Sequence, residues 1–156
     1  LNISSNLLTG PVVYNLTEES YSEQLTQFSI SDNFFTGTLP EELGNALSLY
    51  DLFLNNNEFT GTLSQFYDTL ENLEILFLQN NRFTGTIMKL DGLKYLTNVD
   101  VSGNKLTGTL LDGFGRATAL KTFAASSNCF HGSIPSSFCE LDSLEVLALD
   151  GLSSGT

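Results

Sequence analysis

Few residues in this chain of 156 have side chains that could carry out catalysis. His131 is the only histidine, and a histidine acting as general base needs a nucleophile and an orienting acid within hydrogen-bond distance. Ser133 is a neighbouring hydroxyl, but it lies on the same short segment, and no oxyanion-hole turn accompanies it. We therefore interpret His131 as a surface residue and expect neither an enzyme nor a cofactor.

The two cysteines, Cys129 and Cys139, are ten residues apart. This spacing fits neither a CxxC motif nor a zinc site, and the acidic residues do not follow the spacing of a calcium-binding EF-hand loop. We expect no metal site. In an oxidising compartment the two cysteines could close a loop through a disulfide, which is the pairing we favour. Two inert thiols, or a bond to a cysteine outside this segment, are the alternatives.

The charge of the chain excludes several classes of partner. Eighteen acidic residues against six basic ones give a formal net charge of -12. Nucleic acids and anionic membrane surfaces are therefore poor partners, whereas a cationic peptide would be favoured. No run of apolar residues approaches the roughly 18 that a membrane span needs, so we expect no membrane span in this segment. The first residues also lack the order of a signal peptide.

A repeat organises the elements that must position any functional residue. Asparagine recurs at intervals of 27, 24, 24, 23 and 24 residues, at Asn6, Asn33, Asn57, Asn81, Asn104 and Asn128. Each is followed two residues later by Leu or Phe and four residues later by Gly. An alternating apolar pair, such as Leu52 and Leu54, precedes each one. A period of two is typical of a strand that buries one face, so every unit is expected to contribute one strand.

The spacing L-x-x-L-x-L-x-x-N-x-L-x-G-x-I/L-P resembles the plant-type leucine-rich repeat. Clear copies are "LENLEILFLQNNRFTGTI" and "LKTFAASSNCFHGSIPSSFCELDSL". The resemblance implies an α/β-class, right-handed solenoid, or horseshoe, with a parallel sheet on its concave side. It also implies convex 3₁₀ or irregular turns and a short second strand around "TGTL". We expect residues 1–156 to form a single solenoid segment of a longer chain, with about six full repeats and partial flanking units.

The recurring residues have expected roles in the shared core. The asparagine amide can donate to and accept from backbone groups that leave the strand, in its own unit and in the neighbouring one. The glycine permits a positive φ or a close approach between units. An internal aromatic spine is expected from Phe35, Phe59, Phe83 and Phe130.

The outward positions of the strands are the first candidate for a binding site. Phe53 and Phe77 would lie on adjacent strands, about 4.8 Å apart in the stacking direction. Exposed aromatic rings edged by polar groups could bind an extended peptide or a sugar ring, although the two rings could also simply cover each other. The predicted ligand-binding residues of the concave face are Asp51, Phe53, Asn55, Phe77, Gln79 and Asp100.

A second candidate is the stack of Thr-Gly-Thr segments, such as Thr60-Gly61-Thr62 and Thr84-Gly85-Thr86. Regular Thr-x-Thr arrays resemble the flat faces of ice-binding solenoids. Threonine is also ordinary at these positions, because β-branched residues favour a short strand. The alternative functions are therefore an ice-binding surface or a structural building block of an extracellular coat or fibre, with possible self-association.

The sequence also contains two N-glycosylation sequons, at Asn2 and Asn15. Asn15 lies in an acidic, lengthened loop, whereas a glycan on Asn2 would partly obstruct the concave face.

The family resemblance implies a secreted or cell-surface location, as in receptor kinase ectodomains. The function that fits best is noncatalytic extracellular recognition of a peptide, protein or glycan.

Overall fold

The computed structural model describes residues 1–12, 24–63, 69–87, 90, 92–110 and 117–150. In these ranges, six strands of three residues, one from each successive repeat, form a single parallel sheet. In spatial order they are β2 (Gln27–Ser29), β4 (Asp51–Phe53), β6 (Ile75–Phe77), β8 (Asn98–Asp100), β10 (Thr122–Ala124) and β12 (Val146–Ala148). Spatial order follows chain order, so the chain is a solenoid in which each turn adds one strand.

A second set of short strands lies further along each turn. One three-stranded sheet contains β1 (Thr9–Pro11), β3 (Phe34–Gly37) and β5 (Glu58–Phe59), and another contains β7 (Thr84–Gly85), β9 (Lys105–Gly108) and β11 (Cys129–Phe130). An isolated parallel bridge between Thr62 and Thr84 lies between the two sheets. The predicted solenoid with a concave parallel sheet and a short second strand is confirmed.

The core consists of apolar side chains that point into the solenoid from every turn. Leu52, Leu76, Val99 and Phe123, the central residues of β4, β6, β8 and β10, are fully buried. The corresponding residue of β12, Leu147, is 39% exposed, because no further turn covers it in the described part of the chain. Burial of each turn therefore depends on the turns on either side of it.

Aromatic rings stack along the interior. The ring centroids of Phe35 and Phe59 are 6.2 Å apart, those of Phe59 and Phe83 are 6.1 Å apart, and the ring planes lie within 10° of parallel. By its place in the repeat, Leu106 separates Phe83 from Phe130, which is buried on its own turn. The predicted spine is therefore a stack of three rings, and Phe130 lies beyond a leucine.

Replacing Phe59 by leucine, the residue at position 106 of the same column, is expected to lower the free energy of unfolding by about 1–1.5 kcal/mol. The substitution removes both ring contacts and leaves part of the buried volume empty. Urea unfolding followed by circular dichroism measures the loss. Phe34→Leu is the control, because Phe34 is 49% exposed and its replacement should change the stability by less than about 0.5 kcal/mol. Equal losses in the two variants would contradict the role of the stack.

The outer side of the solenoid contains 3₁₀ turns. Two are described, η1 (Glu41–Asn45) and η2 (Ser136–Glu140), and each follows a proline, Pro40 or Pro135, which sets the backbone angle at the turn entry. Leu43 of η1 is buried and closes the core from that side. Within the described ranges, no helix has the length and apolar character needed to cross a bilayer.

Candidate functional site

The recurring asparagines hold the turns in register. We call Asn33, Asn57, Asn81, Asn104 and Asn128 the ladder asparagines. In Asn81, Nδ2 donates to the carbonyl oxygens of Leu78, 3.1 Å away, and of Leu54 on the preceding turn, 3.0 Å away. Its Oδ1 accepts the backbone N–H of Phe59, also on the preceding turn, at 3.0 Å. The same three kinds of bond recur in the other four ladder asparagines. The predicted role of asparagine is confirmed.

A second row of hydrogen-bonded side chains lies beside the ladder, at the solvent edge of the concave sheet. Asp32, Asn56 and Asn80 have φ between 55° and 58°, a conformation that Asp and Asn tolerate better than most residues. Asn80 Nδ2 donates to Asn56 Oδ1 and Asn56 Nδ2 donates to Asp32 Oδ1, both at 2.7 Å. At Gly103, on the next turn, a Cβ would lie 2.5 Å from Asn80 Oδ1. The row therefore ends where a side chain has no room.

The Thr-Gly-Thr segments are joined by contacts between turns. Thr60 Oγ1 donates to the Gly37 carbonyl at 3.3 Å, and equivalent bonds are made by Thr84 and Thr107. A Cβ at Gly61 would lie only 2.8 Å from the Thr38 methyl carbon. These hydroxyls and methyls therefore already have a structural role, and the flank gives no specific support to an ice-binding function.

The register of the six-stranded sheet defines the outward face, which we call the concave face. Its first column contains Gln27, Asp51, Ile75, Asn98, Thr122 and Val146. Its second column contains Ser29, Phe53, Phe77, Asp100, Ala124 and Ala148. Because parallel strands in register place equivalent residues side by side, each column is a continuous row across the turns.

Phe53 and Phe77 form the apolar centre of this face. Their ring centroids are 5.4 Å apart, with an angle of 67° between the planes, which is an edge-to-face contact. Both side chains remain partly exposed. The edge of one ring thus packs against the face of the other, and part of the apolar surface of the pair stays exposed.

The predicted polar residues surround the pair. Asp51 accepts a hydrogen bond from Gln27 at 2.9 Å, Asn55 accepts one from Ser31 at 2.8 Å, and Asp100 accepts the backbone N–H of Ser102 at 2.9 Å. These bonds fix the side chains and leave further acceptor capacity on each carboxylate. The two acids flank the aromatic pair on a chain of net charge -12, so the face attracts cations.

Gln79 is the polar residue of this set whose hydrogen bonding is incomplete. Its Oε1 is buried and has no hydrogen-bond partner among the described residues. A buried amide oxygen without a partner costs free energy. Rotation of the side chain toward a donor N–H would recover that cost.

The predicted modification sites are placed as follows. Asn2 is exposed and pairs with Ser29 through an isolated bridge at the edge of the sheet. Asn15 lies outside the described residues. Cys129 and Cys139 are both exposed and are free thiols in the structure, so the disulfide that we favoured is not formed in it. Its occurrence in an oxidising compartment stays a prediction.

His131 is exposed, in agreement with its interpretation as a surface residue. Its backbone N–H donates to the Gly108 carbonyl at 2.9 Å, in the same way as the threonines of the equivalent position on other turns. Among the described residues, no group of three His, Cys, Asp or Glu side chains lies close enough to hold a metal ion.

A groove that we did not predict lies at the entry side of the concave sheet. We call it the tyrosine groove; it has a volume of about 380 Å³ and is lined by Ser48, Tyr50, Asn72, Glu74 and Tyr95. Tyr50 and Tyr95 are 40% and 58% exposed. The sequence signal is weak, because the two tyrosines occupy different positions in their repeats and only the stacking of turns brings them to one place.

The comparisons with known proteins agree with this geometry. A family model described as Leucine Rich Repeat matches residues 24–46, 72–90 and 95–117. Receptor-like protein 7 of Arabidopsis thaliana is 46% identical over 54 residues, which make up 35% of this chain and 5% of that protein.

Solved structures of plant receptors are similar over nearly the whole chain. The ectodomain of the Arabidopsis receptor kinase GASSHO1/SCHENGEN3, in complex with CASPARIAN STRIP INTEGRITY FACTOR 2, is 32% identical with a TM-score of 0.86, over 94% of this chain and 17% of that one. The Arabidopsis receptor kinase HAESA, in complex with the peptide hormone IDA and the co-receptor SERK1, is 30% identical with a TM-score of 0.88. The similarity covers 96% of this chain and 25% of that one. This chain thus spans a quarter or less of each of these relatives. The repeat, the asparagine ladder and these similarities together support a plant-type leucine-rich-repeat family for this chain.

Proposed function

We propose that this chain is a noncatalytic recognition module that acts outside the cell and binds an extended peptide segment of a partner on its concave face. The observation that carries the proposal is the partly exposed Phe53–Phe77 pair, whose centroids are 5.4 Å apart. Asp51 and Asp100 flank it, so the face combines an apolar centre with negative charge. The surface is therefore complementary to a peptide that carries an apolar side chain beside a basic one.

The similar receptors support this class of function. The HAESA structure contains a bound peptide hormone, and the GASSHO1/SCHENGEN3 structure contains a bound partner named as an integrity factor. The flat, regular sheet suits an extended chain, because successive side chains of a peptide can contact successive turns. The same similarity supports the proposed location at the cell surface or in the extracellular space.

Selection from a random library of displayed peptides, with the whole chain as target, tests the proposal. We expect enriched peptides to carry an apolar residue close to Lys or Arg. The double substitution Phe53→Ala and Phe77→Ala should weaken their binding at least about tenfold, because buried aromatic residues commonly dominate such interfaces.

Phe34→Ala is the matched control, since Phe34 is an exposed phenylalanine outside the concave columns. It should leave the affinity unchanged. Failure to enrich any peptide, or equal affinity for the double variant and the original chain, would overturn the proposal.

A further inference from the structure

The tyrosine groove lies next to the concave face but is distinct from the Phe53–Phe77 pair. Tyr50 immediately precedes strand β4 and Glu74 immediately precedes β6, so both stand at the entry of the sheet. The Glu74 N–H donates to the Tyr50 carbonyl at 2.8 Å, which places the two residues on adjacent turns.

Tyr95 belongs to the third turn of the groove. Thr97, two residues after it, donates its backbone N–H to the Glu74 carbonyl at 2.8 Å. Glu74 therefore stands on the middle turn, between a turn that carries Tyr50 and a turn that carries Tyr95. Because neighbouring strands are about 4.8 Å apart, the tyrosine-bearing turns are separated by roughly 10 Å. The side chains of three successive turns thus line one groove, with Glu74 on the middle turn.

One polar residue of the lining, Asn72, is held by a hydrogen bond between turns. Asn72 Nδ2 donates to the Leu47 carbonyl on the preceding turn at 2.9 Å, which holds the amide against the wall of the groove. The residues that line the groove include one carboxylate, Glu74, and no basic side chain.

The charge of the groove favours a cationic ligand. In the described part of the chain, Arg82 forms a salt bridge with Glu58, whereas the exposed carboxylate of Glu74 forms no salt bridge. The chain as a whole carries a net charge of -12. A cation can use both the carboxylate and the faces of the tyrosine rings, and a guanidinium does so best, because it is planar and stacks on aromatic rings.

We propose that the tyrosine groove binds the guanidinium group of an arginine in the partner peptide, with Glu74 as its counter-ion and Tyr50 and Tyr95 as its walls. This inference rests on the proposed function for the source of the arginine. Because Tyr50 adjoins Asp51 at the start of β4, a peptide that crosses the concave face would pass the mouth of the groove. The arginine subsite would thereby fix the direction and register of the peptide.

Titration of the whole chain, labelled with ¹³C in its tyrosine rings, by Nα-acetyl-arginine amide tests the subsite without a known partner. We expect saturable shifts of the Tyr50 and Tyr95 ring signals, assigned by Tyr→Phe substitution. The isosteric neutral analogue, Nα-acetyl-citrulline amide, should bind at least fivefold more weakly. Glu74→Gln should weaken the binding of the arginine amide by a similar factor.

Glu71→Gln is the matched control, because Glu71 is an exposed acid of the same turn that does not line the groove. Absence of saturable shifts, equal binding of the citrulline amide, or an unchanged affinity in Glu74→Gln would overturn the assignment. Shifts of the same rings by a neutral glucose oligomer, without shifts by the arginine amide, would identify a glycan site instead and would also overturn it.

The two proposals fail separately. The Phe53→Ala and Phe77→Ala variant should bind the arginine amide as the original chain does, because neither ring lines the groove. Loss of peptide binding with retained arginine binding in this variant supports both sites. Peptide binding that survives Glu74→Gln without any loss would remove the arginine subsite and leave the concave-face proposal standing.

Discussion

Replacement of Asn81 by alanine is expected to lower the free energy of unfolding by about 3–5 kcal/mol, a large part of the stability of a domain of this size. Asn81 is buried, and its amide satisfies the Phe59 N–H and the carbonyls of Leu54 and Leu78. Alanine would leave these backbone groups buried without partners, in a place where no strand bond can replace them. Urea unfolding followed by circular dichroism measures the loss.

Asn6→Ala is the matched control, because Asn6 occupies the same position in its repeat as Asn81 does. Asn6 is exposed and donates to the carbonyls of Ile3 and Ser4, which water can reach. Its replacement should cost less than about 1 kcal/mol. A loss at Asn81 no greater than that at Asn6 would show that the ladder does not stabilise the solenoid.

The ladder was predictable because its signal is periodic. Each asparagine occurs at a fixed distance from an alternating apolar pair, and stacking then places all of them at one edge of the core. The same logic predicted that Phe53 and Phe77 lie on adjacent strands, and the register confirms that they stand side by side. Register is the property that a regular repeat determines most directly.

Features that depend on irregular positions were not predictable in this way. The row of Asp32, Asn56 and Asn80 needs three left-handed residues joined by hydrogen bonds between turns, which residue type alone does not distinguish from an ordinary polar surface. The tyrosine groove combines residues from different repeat positions, Tyr50 and Tyr95. Both arise from side-chain packing between turns, for which a pattern within one turn contains no information.

The recurring glycine was assigned two alternative roles from the sequence, a positive φ or a close approach between turns. In the structure Gly61 has both properties. Its φ is +84°, and an added Cβ would lie only 2.8 Å from the Thr38 methyl carbon. Gly61→Ala is therefore expected to cost about 3–4 kcal/mol, the sum of a left-handed alanine and a displaced neighbouring turn. Urea unfolding under the conditions used for Asn81 provides the measurement.

Two further variants separate the components of this loss. Gly10 has φ of +88°, and no atom beyond its chain neighbours lies within 4 Å of an added Cβ, so Gly10→Ala should show the backbone cost alone, about 1–2 kcal/mol. Thr38→Ser removes the methyl that the Cβ added at position 61 would meet, and combining it with Gly61→Ala should recover about 1–2 kcal/mol relative to the sum of the single losses. Additive losses in the double variant would show that close packing of the turns is not what requires glycine, and the left-handed backbone would then be the whole reason for its recurrence.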